Sequence, residues 1–191
     1  MNIGTQFSSE IRALIRKDIA NIEPYDFREK ADIEDVLTWI DSGAEIFRVE
    51  KPATPPKHLV SYFVLIDGEY ILLVDHKNAE LWLPTGGHVD ADEHPRVAAV
   101  REALEELGLD SPQISEKPHF LSISETVGKT AGHTDVSLWY VVAADRRQKL
   151  NFNRNEFYAI EWCHKDKIPF ALSDPQIKRF LNKYFDTDPI S

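Results

Sequence analysis

One cysteine and one methionine occur in 191 residues. With Cys163 alone, no disulfide can form within the chain. Stability must come from a hydrophobic core, and a reducing, cytoplasmic setting is expected. Long apolar runs are also missing. No stretch approaches the ~20 residues that span a bilayer, and the first residues lack the basic-then-apolar pattern of a secretory signal. A membrane partner is therefore not expected. Positive charge is scarce: 22 Lys and Arg stand against 32 Asp and Glu, for a net charge of -10. Such a chain repels long polyanions, which argues against a nucleic-acid polymer as partner. A small phosphorylated substrate stays compatible, because bound cations reverse the local field. What is present is 42% hydrophobic content, enough for a proper core. The length suits one domain with an addition, not two large domains.

The addition lies first. Ile11, Leu14, Ile15, Ile19 and Ile22 follow a helical stripe, with Ser8 or Ser9 as its cap. Ile33, Val36, Leu37 and Ile40 form a second stripe, closed by Gly43. Residues 1–50 thus read as an N-terminal helical extension that carries half of the net negative charge. Packing on the main domain is its expected role; a substrate lid or a homodimer contact are the alternatives. Pro52, Pro55 and Pro56 mark a linker, and the main domain is expected over 57–187. There, residues 59–66 and 70–74 read as strands around an Asp67-Gly68 turn. Residues around Leu121 and Ile123, 136–143 and 159–162 supply further strands. Ser173 to Gln176 opens a last helix packed through Ile177, Phe180, Leu181 and Tyr184. Strands, a helix, strands and a final helix predict an α/β (α+β) sandwich.

The densest chemistry lies between Gly87 and Leu109. His94-Pro95 starts a helix there, and Glu102, Glu105 and Glu106 fall within five residues. At 3.6 residues per turn these acids share a face. Val97, Val100, Leu104 and Leu107 make the apolar stripe that should meet the core. Like charges three and four apart repel. A divalent cation would relieve them, and oxygen ligands suit Mg²⁺ or Mn²⁺.

These residues resemble the signature of the Nudix hydrolases of MutT-like type, G-x5-E-x7-R-E-U-x-E-E-x-G-U, where U is a bulky apolar residue. Gly87, Glu93, Arg101, Glu102, Glu105, Glu106, Gly108 and Leu109 fill its places; Ala103 is small for the apolar slot. A solvated acidic helix face would not explain the preceding glycines, the Arg or the closing glycine. The resemblance implies a mixed sheet between helical layers. It also implies cation-dependent hydrolysis of a nucleoside diphosphate linked to another group. Glu102, Glu105, Glu106 and Gly87 would hold the cation. Arg101 would orient a carboxylate, and Glu93 would support the loop. Gly86 and Gly87, read as a turn, would admit phosphate closely.

Outside the signature, Glu156 stands in a polar loop six residues before Trp162. This resembles the loop glutamate of members that degrade oxidised dGTP, which serves as general base or metal contact; the alternative is a solvated loop acid. Asp135, His88 and Trp82 are candidate substrate contacts, with Trp82 stacking on a base. Glu125 and His133 are weaker candidates. Gly128-Lys129-Thr130 fails as a phosphate loop, because Ile123 stands where that motif needs glycine. The expected substrate is a nucleoside triphosphate, ordinary or oxidised in its base. ADP-ribose or a nucleotide sugar comes next. A catalytically inactive ligand-binding regulator is the reading from another class. It is disfavoured because every signature carboxylate is present.

Overall fold

The computed structural model describes residues 3–51, 54–126 and 132–185, with side chains from residue 8 onward. Pro52 and the Gly128-Lys129-Thr130 triplet lie outside the described residues. Two helices come first, α1 (Ile3–Ala20) and α2 (Phe27–Asp41). Then follow β1 (Lys57–Asp67), β2 (Tyr70–His76), β3 (Leu81–Leu83), β4 (Thr85–His88) and α3 (Pro95–Leu107). The chain ends with β5 (Phe120–Glu125), β6 (Thr134–Ala143), β7 (Phe157–His164) and α4 (Ile177–Phe185). α1 starts ahead of Ser8 and Ser9, so these serines lie inside the helix and do not cap it. α2 takes its cap from Asp26, whose side chain accepts from the Glu29 amide at 2.7 Å.

The strands form one seven-stranded mixed sheet in the order β3-β2-β1-β6-β5, with β4 also on β1 and β7 also on β2. β1 runs parallel to β6 from Lys57↔Thr134 to Ile66↔Ala143. β4 lies antiparallel to the first half of β1, from Val60↔His88 to Phe63↔Thr85. The glycine pair expected in a turn is therefore strand.

Alternation splits the core. Leu59, Phe63 and Leu65 of β1 pack with α1, α2 and α3. Val64 and Ile66 pack with Ile177, Phe180 and Leu181 of α4. The sheet thus lies between helical layers, as expected for the α/β/α sandwich. Ile15, Ile19, Val36 and Ile40 of the first two helices belong to the same cluster as Phe63 and Leu138. The prefix therefore buries most of both stripes against the sheet, with Leu14 of the first left 51% exposed.

Polar ties hold it there too. Glu29, fully buried, accepts from the amides of Tyr25 (2.7 Å) and Leu121 (3.1 Å) and from Lys183 Nζ (2.8 Å). Arg179 of α4 grips Asp26 at 2.6 and 2.9 Å. Leu121 lies on the edge strand β5, where an unpaired amide needs a partner.

Candidate active site

α3 is delimited by its own sequence. His94 caps it through Nδ1, which accepts from the Arg96 amide at 3.2 Å, and Pro95 takes the first turn. Gly108, at φ 65°, ends it, with the amides of Gly108 and Leu109 reaching the carbonyls of Leu104 and Ala103 at 3.0 Å.

The face that α3 buries is only half the predicted one: Val100 and Leu107 meet the core, but Val97 and Leu104 do not. Val97 and Leu104 are 56% and 55% exposed, whereas Ala98, Ala99, Ala103 and Leu107 are fully buried. Glu106 is only 4% exposed. Ala99, Glu102, Ala103 and Glu106 are spaced i, i+3, i+4, i+7, so two acids share the buried alanine face. The physical reason is close approach. Alanines let the helix settle low over the sheet, and Glu106 then reaches the Gly86 amide, accepting at 2.9 Å. Ser61 Oγ of β1 donates to the Pro95 carbonyl at 2.7 Å and fixes the other end.

The glycines are explained by the same approach. Gly86 sits at φ 148°, and a Cβ there would run into the Ser61 carbonyl and the Tyr62 backbone. A Cβ on Gly87 would strike the Glu102 carboxylate. Only glycine fits at 86, and any side chain at 87 would displace the Glu102 carboxylate.

Arg101 organises the acids. Its Nε and Nη2 donate to both oxygens of Glu93 at 3.1 and 2.9 Å, Nη1 donates to Glu102 Oε1 at 2.7 Å, and Nη2 also reaches the His88 carbonyl at 3.1 Å. Glu93 in turn accepts from the Asp90 amide at 3.1 Å. Glu105 is the open member: its side chain is 56% exposed and 3.6 Å from Arg101. Burial pushes the Glu106 carboxyl well up from its ordinary range, and the negative charges of Glu102, Glu156 and Glu105 add to this. Glu102 is shifted the same way by burial, against the pull of Arg101. Buried carboxylates that repel one another beside a bare backbone are a fitting seat for a cation with oxygen ligands.

Glu156 faces this cluster, since its charge is felt at both Glu102 and Glu106. Its loop docks on the end of α3: the Asn153 amide donates to the Glu106 carbonyl at 2.8 Å, and the Asn151 amide to Leu107 at 3.0 Å. Asn153 Nδ2 donates to Glu156 Oε1 at 3.0 Å. Glu125, at the end of β5, is exposed.

His88 and Asp135 fall elsewhere. β1 brings His58 opposite Asp135, and His88 and His133 close the group. Burial lifts the Asp135 carboxyl to about 7, aided by Asp174. Burial lowers His88 to about 3, aided by Arg48. Trp82 is partly buried against the α4 cluster, with Asp75 as its strand partner.

Arg48, His58 and Asp174 had no signal in the sequence. Arg48 sits between the two groups, its charge felt by Asp135, Asp90 and Glu102. Asp174 is read from sequence only as part of a helix start. It is buried, and its carboxyl is raised to about 6 by desolvation.

A family model for the NUDIX domain matches residues 56–184. The chain is 32% identical over 141 residues to a Bacillus subtilis (strain 168) protein named "Putative 8-oxo-dGTP diphosphatase", covering 63% of this chain and 94% of that one. Among solved structures, the Escherichia coli dihydroneopterin triphosphate pyrophosphohydrolase superposes with a TM-score of 0.56 at 17% identity, over 74% of this chain and 97% of that one. A NUDIX-family hydrolase from Clostridium perfringens gives 0.52 at 22% identity, over 68% and 96%. These two likenesses concern the fold. The chain belongs to the Nudix family. It is a MutT-like pyrophosphohydrolase whose substrates are small nucleotides. Among the described residues, no helix is long and apolar enough to cross a membrane.

Proposed function

We propose that the chain hydrolyses nucleoside triphosphates, with an oxidised purine triphosphate as the leading substrate, using Mg²⁺ or Mn²⁺. The observation that carries the cation requirement is the buried, mutually repelling pair Glu102 and Glu106 under the Gly86-Gly87 strand. The relative named as an 8-oxo-dGTP diphosphatase supports the substrate class. Glu102, Glu105, Glu106 and the Gly87 carbonyl would hold the cation, which supplies neutralising charge for the phosphate oxygens when bound.

This chain's residues do the rest. Arg101, pinned by Glu93, keeps the Glu102 carboxylate in one orientation. Gly86 and Gly87 admit the diphosphate close to the backbone. Arg48, close enough to feel the charge of Glu102, meets phosphate charge. Glu156 accepts the proton of the attacking water as the new O–P bond forms and the bridging P–O bond breaks. The partly exposed Trp82 serves as the base contact. A cytoplasmic setting belongs to the same reading, with Cys163 a buried free thiol.

The test is direct. Purified protein with Mg²⁺ is incubated with normal and oxidised nucleoside triphosphates, ADP-ribose and nucleotide sugars, and products are separated by chromatography. Nucleoside monophosphate and pyrophosphate from the oxidised purine triphosphate are expected, with no turnover after chelation. Preferential cleavage of ADP-ribose or a nucleotide sugar would replace the substrate assignment. Full turnover after exhaustive chelation would remove the cation from it.

A further inference from the structure

We infer that His58, His88, His133 and Asp135 form a second metal site, built for one divalent transition-metal ion of the zinc type and separate from the signature carboxylates. This inference stands whether or not the hydrolase substrate is as proposed.

Strand pairing assembles the group. His58 on β1 lies opposite Asp135 on the parallel β6. His88, at the end of β4, lies opposite Val60, two residues along β1. One ligand atom from each of the four residues lies within 4.8 Å of every other. His133 Nε2 is 3.2 Å from Asp135 Oδ1, and His58 Nε2 is 3.6 Å from it. Bonds of about 2.0–2.1 Å in a tetrahedron put neighbouring ligand atoms roughly 3.3 Å apart. Two of the edges are therefore already close to that spacing.

Hydrogen bonding does not account for the arrangement. His58 Nε2, His88 Nε2 and Asp135 Oδ1 are buried without a hydrogen-bond partner. Leaving one such group unsatisfied costs ~1–3 kcal/mol, and three of them point into one small space. The outer nitrogens are held as ligating histidines require. His58 Nδ1 is 2.8 Å from the Pro55 carbonyl, so Nδ1 carries the proton and Nε2 offers a lone pair. His133 Nδ1 is 3.2 Å from Thr126 Oγ1. His58 is fully buried, which excludes a role as a solvated histidine.

Ligand chemistry selects the ion. Three imidazoles and one carboxylate suit zinc, cobalt or nickel, whereas magnesium prefers oxygen. Four protein ligands close the coordination sphere, as in structural sites. The ion would tie β4 to β1 and β6 and so hold Gly86 and Gly87 beneath Glu102 and Glu106. Its charge, beside Arg48, is offset by Asp135.

The test uses the full chain, freed of metal by a chelator and kept in excess Mg²⁺. Co²⁺ is titrated in and followed by its visible absorption; Zn²⁺ then competes. One equivalent of Co²⁺ with the intense spectrum of a four-coordinate site is expected, displaced by Zn²⁺ with a rise in Tm. His133→Ala and Asp135→Asn should each weaken binding at least tenfold, while Glu102→Gln and Glu105→Gln leave spectrum and affinity unchanged. Absence of a tight Co²⁺ or Zn²⁺ equivalent in the wild-type protein overturns the site, whatever the variants do. So does binding lost with the glutamate variants and kept in the folded histidine and aspartate variants.

Discussion

Strand β4 separates two polar groups that were built differently. On one side, Glu102, Glu105 and Glu106 come from consecutive turns of a single helix. On the other, His58, His88 and Asp135 come from three strands and His133 from the bend before β6, separated by up to 77 positions. Gly87 touches the first group and its neighbour His88 belongs to the second. The first is all oxygen, is part open to solvent at Glu105, and is fed by a loop. The second is nitrogen-rich and enclosed. A helix can gather like charges by spacing alone. A sheet gathers unlike residues only through its pairing register, so such a group leaves no local trace in the chain.

The sharpest way to break this contrast is to remove charge from the helix. Glu105→Gln and Glu106→Gln should each lower kcat by more than the ~10–100-fold lost when a residue that merely orients a metal ligand is changed. Glutamine at 106 can still accept from the Gly86 amide. Cation-free Glu106→Gln should therefore melt no lower than wild type. Near-normal kinetics in either variant would mean that the helix does not hold the reacting centre.

Comparable in size is the effect of Glu156→Gln. A lost general base costs typically ~10²–10⁴-fold, and the loss should fall on kcat with KM little changed. A wild-type kcat across a full pH profile would leave Glu156 a solvated loop acid and turn attention to Glu125. Smaller still is Glu93→Gln, which leaves Arg101 held on one side only. A ~10–100-fold loss is expected, with a raised requirement for Mg²⁺. Unchanged Mg²⁺ dependence would show that Arg101 needs no such anchor.

The smallest effect tests the burial of acid beside the second group. Asp174 is raised from about 3.8 unfolded to about 6 folded. Its ionisation therefore destabilises the fold progressively as pH rises from about 4 to about 6, and the cost is absent below that window. Asp174→Asn keeps the acceptor for the Gln176 amide and removes the charge. In chelator, the variant should gain on wild type across that window by at most ~3 kcal/mol, read from urea melts. A difference that is flat with pH would mean that Asp174 is hydrated in solution.

The contrast also explains what the sequence could and could not disclose. Helix limits at His94-Pro95 and Gly108 were legible because caps are local chemistry. The signature acids were legible for the same reason. The buried face of α3 was legible only in part, at Val100 and Leu107. Hydrophobic periodicity pointed to Val97 and Leu104, but small size and hydrogen-bond demand decided, and alanine with glutamate went inward. Gly86-Gly87 looked like a turn because glycine punctuates loops; its use as a strand appears only once β1 is placed against it. His58 and Arg48 carried no signal, since their meaning depends on partners 77 and 87 positions away in Asp135 of β6.

The junction of Glu29 with Leu121 and Lys183, and of Asp26 with Arg179, has a consequence for dissecting the molecule. The stretch recognisable as family, 56–184, leaves out helices that share its core and its buried polar ties. Cutting away the first 50 residues would strand the ammonium of Lys183, strip the edge amide of Leu121 and uncover Phe63 and Leu138. A trimmed protein should aggregate or swap helices with a second copy, so enzymological work on this chain needs its acidic leading helices left in place.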